Sequence, residues 1–139
     1  MTEQTACAST DGITVSLVDG DATIRHARQI VLRSEHFNVR SYATCAALLA
    51  DPRSRTCPCI VVDIDMTEVD GTALLREMRA TGWKGKAILL GRIEPGSLSM
   101  RAAERHGDKV LERSIADGPL IAAIAASVDR GWAGWNPVG

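Results

Sequence analysis

Cys59-Ile60-Val61-Val62-Asp63-Ile64-Asp65-Met66-Thr67-Glu68-Val69-Asp70-Gly71 is the stretch that decides how this chain folds. An unbroken apolar run, Cys59 to Val62, ends on a carboxylate, and Asp70-Gly71 precedes a helical pattern. A continuous apolar run reads as a parallel strand buried on both faces, and open α/β sheets place their sites at the carboxyl ends of such strands. Asp63 is therefore a candidate site residue. A second run, Ile13-Thr14-Val15-Ser16-Leu17-Val18, also stops on an acid, Asp19. Two strand-end carboxylates suit a hard cation such as Mg²⁺, or a phosphoryl group. Helix N-capping and plain surface exposure are the competing uses of the same residues.

On either side of this stretch the chain alternates between strand and helix patterns. After the first strand (13–18), Ile24, Ala27, Ile30 and Val31 recur at helical spacing over Ala22 to about His36. Phe37 to Tyr42 is a short extended piece, and a helix from about Ala43 stops at Asp51-Pro52, where proline disfavours continuation. Strand three is Pro58 to Val62. Leu74, Leu75 and Met78 give a third helix ending near Thr81-Gly82, and Lys86 to Leu90 is strand four. A fourth helix is expected from about Leu98 to His106-Gly107, a short fifth strand at Lys109-Val110-Leu111, and a fifth helix from Asp117-Gly118-Pro119 to about Arg130. Five strands alternating with five helices imply a doubly wound α/β domain: a parallel sheet covered on both faces, with right-handed crossovers. The expected organisation is a leader over 1–11, one domain over 12–130 and a tail over 131–139 that carries Trp132 and Trp135.

The 139 residues suffice for one core and not for two ordinary domains. With a formal net charge of −1 and interspersed signs, the chain lacks the basic stripe that nucleic acid requires. No stretch approaches the ~20 apolar residues of a membrane span, and a basic-then-apolar leader is missing from the start, so a cytoplasmic location is expected. Cys57 and Cys59 sit at the opposite end of strand three from Asp63, and inert, buried thiols are the expectation for them.

Three segments together resemble the receiver domain of bacterial response regulators: Val15-Ser16-Leu17-Val18-Asp19-Gly20-Asp21, Ile60 through Gly71, and Val110-Leu111-Glu112-Arg113-Ser114. The spacing Asp63, Met66, Asp70-Gly71 is the strongest element. The resemblance spans about residues 12 to 130 and implies a flavodoxin-like fold with strand order 2-1-3-4-5. It also implies roles. Asp63 is the position that accepts a phosphoryl group from a sensor histidine kinase, Arg113 stands for the family's lysine, and Asp19, Asp63 and Asp65 are the metal ligands expected for Mg²⁺. Five positions depart from the pattern. Gly20 replaces the second acid of the metal-binding pair, Leu90 replaces a Ser or Thr at the end of strand four, Arg113-Ser114 replaces Lys-Pro, and Val110 replaces the switch aromatic. Thr67 further replaces a proline common after the methionine, and Asp21 or Asp65 are the acids at hand to restore a carboxylate.

The reading that follows is a non-enzymatic, atypical receiver that acts through protein contacts with a weakened or absent phosphorylation switch. One alternative is a conventional phosphoacceptor using Asp63 and Mg²⁺. Another, from a different class, is a small Mg²⁺-dependent phosphatase on the same fold. The expected partners are a sensor histidine kinase or other signalling protein, and a second copy through the fourth helix, fifth strand and fifth helix. The fifth helix, with Leu120, Ile121, Ile124 and Val128 among alanines, leaves almost no polar face and is expected to be covered all round. Arg25, Arg28 and Arg33 read as a solvated face of the first helix, or a docking edge.

Overall fold

A computed structural model describes residues 12–64, 71–92, 101 and 107–130. The elements are β1 (Thr14–Val18), α1 (Ala22–Ser34), β2 (Asn38–Tyr42), α2 (Cys45–Ala50), a 3-10 turn (Pro52–Thr56), β3 (Cys59–Asp63), α3 (Gly71–Ala80), β4 (Lys86–Gly91), β5 (Lys109–Glu112) and α4 (Asp117–Arg130). All strand pairs are parallel, in the order β2-β1-β3-β4-β5, so the flavodoxin-like arrangement is present. Apart from Arg101 and Gly107, the stretch read as a fourth helix lies outside the described residues, as do the leader, the tail and Asp65. α4 is thus the helix that the sequence places fifth.

The pleat of β3 divides the core in two, because successive side chains point to opposite faces. Cys59 and Val61 join Val15, Leu17, Leu32, Leu120 and Ile124 on the side of α1 and α4. Ile60 and Val62 join Leu48, Leu74, Met78 and Trp83 on the side of α2 and α3. Every residue of β3 is buried, as a strand covered on both faces must be. Each such leucine or isoleucine contributes about 1.5–3 kcal/mol of transfer free energy.

The turns show why the elements stop where they do. Asp21 caps α1, its side chain accepting from the N–H groups of Thr23 (2.9 Å) and Ile24 (3.1 Å). α1 ends two residues before the expected His36, which adopts a positive φ of 72° while Phe37 N–H reaches back to Leu32 O. α3 ends at Ala80, and Gly82 (φ +95°) follows it, close to the Thr81-Gly82 stop that the sequence predicts. Thr44 caps α2 by accepting from Ala47 N–H, so that helix begins at Cys45 rather than Ala43. Gly85 has a different reason for its identity: a Cβ there would lie 2.7 Å from the carbonyl oxygens of both Cys57 and Pro58.

At the end of the sheet away from Asp63, Asp108 joins three elements. Its Oδ1 accepts from Ala87 N–H (2.9 Å) and from Arg79 (2.8 Å), whose guanidinium lies 5.2 Å from the centre of the Trp83 ring. α4 buries a stripe of Leu120, Ala123, Ile124 and Ser127, whereas Ile121, Ala125, Ala126 and Val128 are half-buried and Ala122 is exposed. Among the described residues one face of the helix is therefore left half-buried, where the sequence reading expects the 131–139 tail, which lies outside the described residues, or a second copy; its alanines tolerate either state.

Candidate functional site

β1 and β3 are neighbours in register, Val18 opposite Val62, so Asp19 and Asp63 emerge side by side at the carboxyl end of the sheet. Both are buried, at 0% and 1% exposure. Asp63 is the last residue of β3 itself, paired with Leu90 of β4. The peptide hydrogen bonds Ile64 N–H to Leu90 O (2.8 Å) and Arg113 N–H to Gly91 O (3.0 Å) carry the ladder up to the site. The fold thus brings Asp19, Asp63 and Arg113 together as the sequence implies.

Arg113 follows β5 and donates from Nε to Asp63 Oδ2 at 2.5 Å. Its side chain is 41% exposed while that of Asp63 is 0%, so a solvent-reaching cation covers a buried acid. Asp19 is held more completely. Its Oδ1 accepts from Asp21 N–H (2.9 Å), its Oδ2 from Arg28 Nη1 (3.2 Å), and its backbone oxygen from Arg25 Nη1 (2.7 Å). Burial pushes the Asp19 carboxyl above its ordinary value; the Asp21 N–H opposes this, the Asp63 charge adds to it, and Arg28 and Arg113 draw it down. Asp21 itself is engaged in capping α1, and its carboxylate is exposed.

Arg28 is the site residue that sequence reading missed. Its guanidinium also donates to the Arg113 backbone oxygen through Nη2 (2.9 Å), so it ties the end of β1 to the end of β5. α1 faces the sheet with Ile24, Arg28 and Leu32, one turn apart, while Ala27 and Ile30 point to solvent, Ile30 with 55% of its surface exposed. The stripe read from Ile24, Ala27, Ile30 and Val31 was thus centred on the wrong face, and Arg28 is not solvated. The signal was available: an arginine four residues from an apolar residue on both sides.

The departures from the receiver pattern take definite forms. Gly20 is exposed and brings no carboxylate. Leu90 is wholly buried and packs among Val61, Ile88 and Leu111. Val110 packs on the opposite side, against the cluster that holds Leu89 and Trp83. Among the described residues no three Asp, Glu, His or Cys side chains converge as metal ligands. Both oxygens of Asp19 are already taken by protein donors, so the described residues fit guanidinium counter-ions rather than a divalent ion.

Residues 15–125 match the response regulator receiver domain family. The chain belongs to that family. Receiver domains are as a rule signalling domains rather than enzymes, work with histidine kinases in two-component systems, and bind Mg²⁺ at the phosphorylation site. The receiver is similar to the transcriptional regulatory protein FixJ of Azorhizobium caulinodans, 28% identical over 86% of this chain and 57% of the relative. It spans about half the length of the curated relatives it matches. Its fold is like that of full-length FixJ from B. japonicum (TM-score 0.75, 24% identity, 88% of this chain and 60% of that one). It is also like a CheY-like receiver domain protein from Methanospirillum hungatei JF-1 (TM-score 0.76, 20% identity, 90% and 100%). No helix of the described residues is long and apolar enough to cross a membrane.

Cys57 and Cys59 lie at the far end of β3 from this site, both buried. Cys57 Sγ is within 3.2 Å of Ser16 Oγ and 3.1 Å of the Cys59 oxygen, and burial pushes the Cys59 thiol up to about 12. Cys59 is therefore a poor nucleophile.

Proposed function

We propose that this receiver domain signals through protein contacts, with a phosphorylation switch that is weakened or absent. The end of β4 carries the reading. Leu90 pairs with Asp63 across the β3–β4 register and is fully buried, Gly91 is the last residue of the strand, and neither offers a hydroxyl to a phosphoryl group on that aspartate. Gly20, in place of a metal ligand, and Val110, in place of a ring that could swing, support it. Among the described residues, a phosphoryl group arriving at Asp63 would find no hydroxyl on β4 whose contact differs between two states, and without a differential contact there is no shift. The partners proposed are a histidine kinase or another signalling protein, and a second copy seated on the half-buried face of α4 (Ile121, Ala125, Val128) and its neighbours.

A second reading is favoured by one observation, the Arg113–Asp63 contact. A guanidinium already placed on the acceptor oxygen can pass to a phosphoryl oxygen as the Asp63 carboxylate attacks phosphorus and the bond to the donor breaks. In that reading the chain is a conventional phosphoacceptor at Asp63.

Incubation with Mg²⁺ and a small-molecule phosphodonor, followed by intact mass beside an Asp63→Ala control, separates the two. Our reading expects no added phosphoryl, or one far below that of an ordinary receiver under the same conditions. A full, Mg²⁺-dependent gain that the control abolishes would establish the second reading.

A further inference from the structure

We propose that Arg28 is the resident cation of the acid cluster, filling with a fixed guanidinium the charge role that a divalent ion has in receiver domains. The proposal rests on the assignment of Asp19 and Asp63 as the receiver site, and not on whether Asp63 accepts phosphate.

Arg28 is built in rather than draped over the site. It occupies the inward face of α1 between Ile24 and Leu32, and its side chain is 11% exposed. Both ends of its fork are used, Nη1 on Asp19 Oδ2 and Nη2 on the Arg113 carbonyl. A planar, permanently charged fork with two fixed acceptors loses little further freedom when it binds. The carboxylate it neutralises has its other oxygen on Asp21 N–H, and Arg25 covers the Asp19 carbonyl. A divalent ion would have to strip Asp19 from Arg28 and then sit beside the displaced guanidinium, and like charges at such distances repel strongly in a partly buried site. Gly20 offers no carboxylate to offset that repulsion.

The test uses the whole chain, labelled with ¹³C and ¹⁵N, and follows the Asp19 and Asp63 carboxyl carbons and the Arg28 guanidinium protons by NMR while Mg²⁺ is raised to millimolar levels. Arg28→Gln, neutral and similar in reach, is titrated alongside, with Arg28→Leu as a second variant. In the native chain these signals should stay in place, whereas either variant should bind Mg²⁺ at Asp19 and Asp63 at least tenfold more tightly, with saturable carboxyl shifts. Saturable movement of the native signals, at an affinity within a few-fold of the variants, would overturn the proposal. So would silence in both the native chain and a folded variant. If a variant unfolds without metal and refolds with Mg²⁺, the resident-cation role is supported; if both variants stay unfolded at all Mg²⁺ levels, metal cannot replace Arg28 and the proposal fails. The phosphodonor experiment reads separately: phosphate gain at Asp63 with no Mg²⁺ response would sink the function proposed above and leave Arg28's role intact.

Discussion

Replacing Arg28 with methionine isolates the Arg28–Asp19 pair, since methionine keeps the aliphatic packing and removes the charge. The Asp19 carboxylate is 0% exposed and Arg28 is 11% exposed, 3.2 Å away. Removing one partner of a buried pair costs about 3–5 kcal/mol, because the other charge is left uncompensated. The Asp21 N–H and the nearby Arg113 remain, so the lower end, about 3 kcal/mol, is expected at neutral pH. For a domain of this size that corresponds to a fall of about 10 °C in Tm. Asp19→Asn should cost about 1 kcal/mol, as it keeps the Asp21 hydrogen bond and leaves Arg28 able to reach water. The double variant should cost less than the two singles together by about 1–2 kcal/mol. The pH dependence has a definite sign. Asp19 binds its proton more tightly folded than unfolded, so its contribution is full below the ordinary value of 3.8 and is lost as pH rises through the higher folded value. Without Arg28 the folded value climbs further, so the Arg28→Met penalty should be smallest in acid and grow towards neutral pH. Urea unfolding followed by circular dichroism at acidic and neutral pH measures this. A penalty below about 0.5 kcal/mol, or one that is the same at every pH, would refute the reasoning.

Tyr42 donates to Asp51 Oδ2 at 2.7 Å, and burial together with that bond pushes its phenol up to about 12. The chain has a single tyrosine, so tyrosinate absorbance reports it alone; the midpoint should lie near 12 and fall towards 10 in Asp51→Asn. With the folded value raised, the contribution to stability is full below 10 and lost as pH rises through 12. Asp108→Ala should cost about 3 kcal/mol in urea unfolding, since it orphans Arg79 and the Ala87 N–H; Asp108→Asn keeps an acceptor oxygen for both donors and should cost clearly less, and equal costs would deny the neutral hydrogen bonds a role apart from the charge. His36→Gly should raise stability by about 0.5–1 kcal/mol, because φ of 72° strains a residue with a Cβ; a loss in Tm would contradict this.

How far the sequence could be read depended on whether a residue's role was local. The β3 run, Gly82 after a helical pattern, and Pro119 in the first turn of the last helix act through nearest neighbours, and each lies where expected. Asp63 and Asp19 were legible because a carboxylate after an apolar run is unusual whatever lies beside it. The 3-10 turn at Pro52–Thr56 was not read, because it depends on Asp51 accepting from Arg53 N–H while also receiving Tyr42 from β2. Arg28 was missed for a related reason. Its partners, Asp19 and the Arg113 carbonyl, are 9 and 85 residues away, and an arginine on a helix is a surface residue until a fold shows what it faces.

The same long-range pairing links the departures from the receiver pattern to one another. In that pattern three acids, one lysine and one divalent ion leave the site neutral. Among the described residues here, Gly20 removes one acid and Arg28 adds one fixed cation, so the buried carboxylates of Asp19 and Asp63 are each matched by a guanidinium, Arg28 and Arg113. Losing a ligand and gaining a guanidinium therefore form one change in charge balance. In the proposed reading, a leucine at 90 and a valine at 110 point in the same direction, since a contact that senses the phosphoryl group serves only where that group is held in two states. On the same proposed reading, the Arg28 tie between β1 and β5 presents a surface built on α1, β5 and α4 in one form, which suits a domain whose message lies in what it binds.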